Sequence, residues 1–284
     1  MISQHHRDLT EELLAWSLRA CTCQRGAAWH AKRAFVASTF EINGAPPDAA
    51  PWENLLCAKY LVFFLGLDGG SAHEIRDLAD RLRTGRRASG ELGEMHRALL
   101  TDIGVHAAST ARLETELVQL CAATSTETQP DAATMTWDEF HAGRLNLIGT
   151  HPYLTCWRSI RGLLDPQPDP ETERLVECAV EATYLANDLA SLEKETRAAE
   201  PVTSNSVRFR AQVSGDLNAA ADAAVDRYNH IVELFRRTSP APLIAILSGV
   251  IDGNVSSHLH LSALEYPGAA AALRRLLTIT PTRT

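Results

Sequence analysis

The segment ATYLANDLASLEKETRA, residues 182–198, sets an amide, a hydroxyl and a carboxylate at intervals of four: Asn187, Ser191 and Glu195. On a helix of 3.6 residues per turn, positions i, i+4 and i+8 share a face, so the three oxygen donors form one stripe. Oxygen donors without histidine or cysteine suit a hard divalent cation such as Mg2+ and weigh against zinc. The same spacing also occurs on plainly solvated helix faces, and the residues alone leave both readings open. Asp188 lies about 100° round from Asn187, placed to buttress the site or the neighbouring helix. Lys194, beside Glu195, has the charge and reach for a phosphate bound to the same cation.

The elements that must position this stripe are helices. Apolar residues recur at spacings of three and four along the 284-residue chain, and alternating runs are hard to find. Turn clusters such as NGAPPDAAP, LDGGS, TETQPD, LDPQPDP, AEPVTSNS and TSPAP punctuate the pattern. They predict helices over 7–22, 26–40, 51–67, 72–84, 90–104, 109–123, 135–149, 152–164, 170–199, 217–238, 241–265 and 268–278. The economical reading is one all-α domain over 1–284, a bundle of about 10–12 helices. The stripe sits on the longest of them, which opens with Asp169 as cap, Pro170, and acids in the first turn. Thirty residues span about 45 Å, so this helix is expected at the centre, where polar side chains are costly unless used.

Composition narrows the partners. The net charge of −8 with no compensating basic stripe excludes a nucleic-acid binder, and an anionic substrate would need local cations or metal ions. No run of eighteen apolar residues predicts a membrane span, and the N-terminus does not read as a signal peptide. The six cysteines, Cys21, Cys23, Cys57, Cys121, Cys156 and Cys178, form no CxxC pair and read as reduced thiols of a cytoplasmic protein. His258 and His260 do not read as a zinc pair, because alternate helix positions diverge.

The run Asn187-Asp188-Leu189-Ala190-Ser191-Leu192-Glu193-Lys194-Glu195 resembles the second metal-binding motif of class I terpene synthases, ND-x-x-S-x-x-K-E, at every specified position. The resemblance implies an all-α bundle around a central apolar cavity, with three Mg2+ ions in the ligand-bound state. One ion would be held by Asn187, Ser191 and Glu195, with Lys194 contacting the substrate diphosphate. The family's aspartate-rich motif, DDxxD or DDxxxE after two aromatics, has a departed counterpart in YLVFFLGLDGGSAHE. Phe63 and Phe64 are present, but Leu67 or Gly69 stands where an acid belongs, depending on register, and Ser71 replaces a third. Asp68 is the surviving carboxylate, with His73 and Glu74 as distal candidates. The Gly69-Gly70 pair could unwind the helix end and let Glu74 turn inward, or simply end the helix.

The family also has a diphosphate-sensing arginine followed by a helix break. Arg144, 43 positions before Asn187, and the interruption at Gly149 and Pro152 match that order. Carbonyls freed at the break could face a cationic intermediate. The C-terminal Arg-Tyr pair is half kept: Tyr266 is present, and Glu265 replaces the arginine. Cavity candidates for cation–π stabilisation are Phe63, Phe64, Trp137, Phe140, Tyr153, Trp157 and Tyr184.

The implied reaction is Mg2+-dependent ionisation of an allylic isoprenoid diphosphate, then carbocation cyclisation or elimination. Substrate length leans to C20, either geranylgeranyl diphosphate or a bicyclic diphosphate from a class II cyclase. Farnesyl diphosphate is the alternative, and a prenyl diphosphate synthase or a homodimer partner is implied beside it. Two other readings stand: a chain-elongating prenyltransferase, disfavoured by Asn-Ser-Glu in place of a second aspartate-rich motif, and a helical protein that only binds a ligand.

Overall fold

The computed structural model describes residues 3–20, 26–86, 90–125, 134–165, 167, 169–262, 266 and 268–279; the side chains of Asp68 and Ser125 lie outside that description. Thirteen α-helices and no strand occur among the described residues. The backbone groups into two compact units, one of residues 1–127 and 151–168, the other of 128–150 and 169–284.

The first unit holds α1 (Gln4–Ala20), α2 (Ala27–Gly44), α3 (Pro51–Asp68), α4 (Ala72–Arg83), α5 (Gly90–Gly104) and α6 (Ala111–Ser125). In it α1 packs on α2, α2 on α3, α3 on α5 and α4 on α6. Leu13, Tyr60, Phe63, Leu67, Met95 and Leu99 are core residues here. Helix α3 starts with Pro51 in its first turn, and the Glu53 carboxylate returns to the Ala50 N–H at 2.7 Å. Its chain then turns at Gly69-Gly70, and Ser71 and Glu74 start α4 with a reciprocal capping box.

The second unit holds α7 (Trp137–Leu147), α9 (Pro170–Arg197), α10 (Ser206–Ser214), α11 (Leu217–Arg237), α12 (Pro242–Leu261) and α13 (Ala269–Leu273); α8 is Thr150–Ile160. The central-helix expectation holds within this unit. Helix α9 packs against α7, α10, α11, α12 and α13, and every residue from Ala179 to Ala186 is buried. Asp169 caps α9 by accepting from Glu171 N at 2.9 Å and Thr172 N at 3.3 Å.

Several boundaries differ from expectation: α1 begins at Gln4 rather than 7, α2 runs to Gly44 rather than 40, α8 ends at Ile160 rather than 164 and α13 at Leu273 rather than 278. The first helix after α9, α10, lies where the sequence predicts only a break. Its start is an Asn cap in the cluster TSNS, and its end is Gly215 at φ +75°, so both signals are local but sit in a polar, Pro-led stretch. Helix α12 stops at Leu261 rather than 265, and residues 263–265, which include Glu265, lie outside the described residues. Pro152 does not break a helix: it lies in the first turn of α8, and the interruption is Ile148 and Gly149 alone.

Candidate metal and diphosphate site

The stripe on α9 is not a solvated face. Ser191 is 4% exposed, Glu195 9% and Asp188 0%, while Asn187 is half-buried. A buried polar side chain needs a partner, and each of these has one supplied by a different element.

Arg144 reaches α9 from the last turn of α7. Its Nη2 donates to Asp188 Oδ1 at 2.5 Å and to Asn187 Oδ1 at 3.2 Å, and its Nε donates to Asp188 Oδ1 at 3.2 Å. Burial works against the guanidinium charge, but the Asp188 carboxylate beside it holds its pKa above the ordinary arginine value. The other Asp188 oxygen, Oδ2, accepts from Ser206 N at 2.8 Å, at the N-terminus of α10. Asp188 therefore buttresses two neighbours, fixing both the arginine and a helix start.

Asn187 is oriented from both sides. His258, fully buried on α12, has Nδ1 2.8 Å from the Asn254 carbonyl, which can only accept, so the ring proton is on Nδ1. Its Nε2 then accepts from Asn187 Nδ2 at 3.2 Å, which leaves Asn187 Oδ1 on the Arg144 side. Burial pushes the His258 pKa down to about 4, so the ring is neutral. Tyr266 packs against His258 with ring centroids 4.8 Å apart, and Lys194 Nζ lies 5.6 Å from the Tyr266 ring. Lys194 is exposed, beside this cluster.

Glu195 and Ser191 meet Asn205, the cap of α10. The Asn205 Nδ2 donates to Glu195 Oε2 at 2.8 Å, to the Asp188 carbonyl at 2.9 Å, and lies 3.5 Å from Ser191 Oγ. Burial raises the Glu195 pKa above the usual value, and the Ser191 and Asn205 hydrogen bonds oppose the shift. Asn187, Ser191 and Glu195 thus present hard oxygen donors on one face, the last two buried, and this donor chemistry fits a divalent cation such as Mg2+. Among the described residues no group of three or more His, Cys, Asp or Glu gathers as an alternative metal site.

The remaining candidates are distributed as follows. In the second unit, Trp137 and Phe140 stack at 5.4 Å, Phe140 stacks on Phe209 at 4.4 Å, and the Arg210 guanidinium lies 3.6 Å above the Trp137 ring. Tyr184 is buried and its hydroxyl meets His141 Nδ1 at 2.8 Å. Gly149 takes φ +72°, the left-handed region that favours glycine. Thr150 and Thr183 hydroxyls, 2.9 Å apart, tie the residue after the break to α9.

In the first unit Phe63 is fully buried against His96, and Phe64 is half-buried and stacked on Tyr60 at 6.3 Å. Tyr153 donates to Glu41 Oε2 at 2.8 Å, and Trp157 is fully buried. Leu67 is 1% exposed, so the position that the Phe pair would assign to a first aspartate faces core. Glu74 accepts from Ser71 N at 2.9 Å and Ser71 Oγ at 2.8 Å, which engages one of its oxygens in capping α4. The side chain of Asp68 lies outside the described residues.

Sequence reasoning did not assign His258 or Asn205 to the site. His258 has no local signal, since what marks it is contact with α9. Asn205 carried a local signal as a helix cap, but its other end, on Glu195, is readable only in three dimensions.

The terpene synthase family 2, C-terminal metal-binding, model matches residues 73–233, a span that contains Arg144 and the whole α9 stripe and begins just after LGLDGGSA. No curated relative matches the chain in sequence. In fold the chain is similar to the SVS_A2 protein from ancestral sequence reconstruction, with TM-score 0.72, 16% identity, and 96% of this chain and 95% of that chain covered. It is also similar to 2-methylisoborneol synthase from Streptomyces coelicolor A3(2), at TM-score 0.68 and 16% identity over 92% of this chain and 91% of that one. Linalool/nerolidol synthase from Streptomyces clavuligerus, in complex with 2-fluorogeranyl diphosphate, gives TM-score 0.69 and 16% identity over 93% and 97%. A family match over more than half of the chain, an all-helical fold shared with these synthases and the buried oxygen stripe agree: the chain belongs to terpene synthase family 2 and has the class I terpene synthase fold.

Proposed function

We propose that this terpene synthase ionises an allylic isoprenoid diphosphate with Mg2+ and releases diphosphate while the carbocation cyclises or loses a proton. The single observation that carries the reading is the α9 stripe, three oxygen donors at i, i+4 and i+8 drawn into one buried polar network with Arg144. Asn187, Ser191 and Glu195 would hold one ion, and Mg2+ there would supply charge neutralisation for the departing diphosphate.

Each residue has a role under this reading. Arg144 is a permanently charged fork for phosphate oxygens, and Asp188 holds it in place. Lys194 adds an exposed cation and Tyr266 a ring and hydroxyl beside it. The residues Ile148 and Gly149 form the break after the arginine, with Gly149 permitting the turn. Trp137 and Phe140 in the second unit, with the buried Tyr184, and Phe63, Phe64 and Trp157 in the first unit remain the aromatic candidates for the hydrocarbon chain. Asp68 is the carboxylate of the aspartate-rich motif, with Glu74 as a distal ligand once released from its cap. The linalool/nerolidol synthase structure, which holds 2-fluorogeranyl diphosphate, supports an isoprenoid diphosphate as the substrate class. Within that class C20 is the first length to test.

The test is incubation of purified protein with C10, C15 and C20 diphosphates, including a bicyclic C20 diphosphate, with Mg2+ or with EDTA, followed by product analysis and diphosphate assay. The expected result is Mg2+-dependent release of diphosphate with a terpene product from at least one substrate. Asn187→Ala and Glu195→Ala abolish it while leaving the helical circular dichroism unchanged. Absence of product from every substrate, or full activity in both variants, overturns the reading.

A further inference from the structure

The segment after α9 returns to the stripe. Helix α9 ends at Arg197, and after a 3-10 turn at Val202–Ser204 the chain begins α10 at Ser206. Two consecutive residues at that start, Asn205 and Ser206, hydrogen-bond α9 over its Asp188–Glu195 stretch. Asn205 is fully buried and uses both ends of its amide. Its Oδ1 accepts from Val207 N at 3.0 Å and Arg208 N at 3.3 Å, closing the first turn of α10. Its Nδ2 donates to Glu195 Oε2 and the Asp188 carbonyl, with Ser191 Oγ at the edge of hydrogen-bond range. One planar group thus joins a helix cap to two members of the stripe.

That arrangement has a consequence for a cation. A carboxylate that swings freely offers either oxygen in any orientation, whereas a donor on Oε2 restrains its plane. Hydrogen-bonded partners of metal-ligating carboxylates orient the ligand, and losing one commonly costs 10- to 100-fold in metal affinity. Because the amide is rigid, seating a cation on Glu195 also steadies the Oδ1 end, and hence the α10 start.

We propose that Asn205 is a positioning residue for the cation held by Asn187, Ser191 and Glu195, and that it couples occupancy of this site to the ordering of the first turn of α10. The inference rests on the proposed cation role of the α9 stripe. Coupling of this kind is reciprocal: a cation that binds better when α10 is capped must stabilise that cap by the same free energy.

The test uses Mn2+ as probe, with inorganic diphosphate present, on the full chain. Asn205→Ser keeps a hydroxyl able to cap α10 but is too short to span from the cap to Glu195. Its half-saturating Mn2+ concentration, read by electron paramagnetic resonance of free Mn2+, rises roughly 10- to 100-fold over wild type. Helical circular dichroism and thermal midpoint stay near wild type, which separates positioning from folding. Hydrogen exchange gives a second readout: Mn2+ protects the amides of 206–209 in wild type, and Asn205→Ser loses that protection. An unchanged Mn2+ concentration dependence in Asn205→Ser, or no Mn2+-dependent protection at 206–209 in wild type, overturns the inference and leaves the cation role of Glu195 intact. A wild-type chain that binds no Mn2+ overturns both.

Discussion

The buried pair of Arg144 and Asp188 allows a prediction whose size follows from its geometry. Asp188 is 0% exposed and Arg144 9%, and the contact at 2.5 Å between Nη2 and Oδ1 is supported by the Nε–Oδ1 bond at 3.2 Å. Removing one partner of such a pair leaves the other as an uncompensated buried charge, at a cost of about 3–5 kcal/mol. Asp188→Ala also leaves Ser206 N without its acceptor, so its cost falls in the upper part of that range. Replacing both partners by apolar residues of similar volume is often close to neutral. The double variant Arg144→Met with Asp188→Leu is therefore far more stable than the sum of the single losses, with a coupling of at least about 3 kcal/mol. The assay is urea unfolding followed by circular dichroism. With a slope of about 3 kcal/mol per molar, Asp188→Ala lowers the midpoint by about 1.3–1.7 M. A shift below about 0.3 M, or additive single and double variants, would falsify the claim that these two charges are desolvated together.

Two further predictions concern Glu41 and the glycines around the α7–α8 break. Burial holds the Glu41 carboxyl protonated well above its usual range, opposed in part by the Tyr153 hydroxyl, whereas the unfolded chain ionises near 4.5. With the folded value raised, the unfolded chain releases this proton first, and stability falls by about 1.4 kcal/mol per pH unit above that point until the folded carboxyl ionises. Glu41→Gln lacks this loss, so its unfolding midpoint gains on wild type as pH rises above about 5, and a gap that does not grow with pH refutes the assignment. The glycines should respond with opposite signs to alanine. Gly149, at φ +72°, loses about 1 kcal/mol, while Gly143, inside α7 with no atom within 4 Å of a new Cβ, gains about 0.5–1 kcal/mol. Denaturant midpoints that move the same way for both variants contradict the conformational reasoning.

The parts of the molecule that sequence made legible are those encoded locally. Asp169-Pro170 announces a helix start through adjacent groups and forms in the structure; Ser71 with Glu74 and Thr136 with Glu139, capping boxes of equally local spacing, also form there. Nine residues of α9 carried the family likeness because ligands on a single helix have a fixed spacing. What stayed hidden depends on other helices. Gly69 stands where one register of the aspartate-rich motif expects an acid, and the reason lies on α2. A Cβ at Gly69 would fall within the space of the Arg33 guanidinium, which donates from Nε to the Leu65 carbonyl at 2.9 Å and lies 3.6 Å over the Trp29 ring. No pattern in LGLDGGS contains that arginine. The helix α10 was missed for a related cause, since its cap is weak evidence until Asn205 is seen to be buried against α9.

The two carboxylates on the α9 face are treated differently, and the difference bears on what the site is for. Asp188 has a guanidinium against it and a helix N-terminus on its second oxygen, so its charge is answered within the protein. Glu195, two turns on, is 9% exposed, and among the described residues it forms no ion pair; its partners are a neutral amide and a hydroxyl. The Arg144 charge acts on Glu195 without a direct contact, and hydrogen bonds to neutral groups only partly offset the loss of hydration. If the stripe served only to hold helices together, the second carboxylate would gain from a directly paired cation as the first does. A face whose arginine is already matched, and whose remaining acid stands among neutral oxygens, is short of positive charge at one place. The divalent cation proposed for the stripe would supply it there.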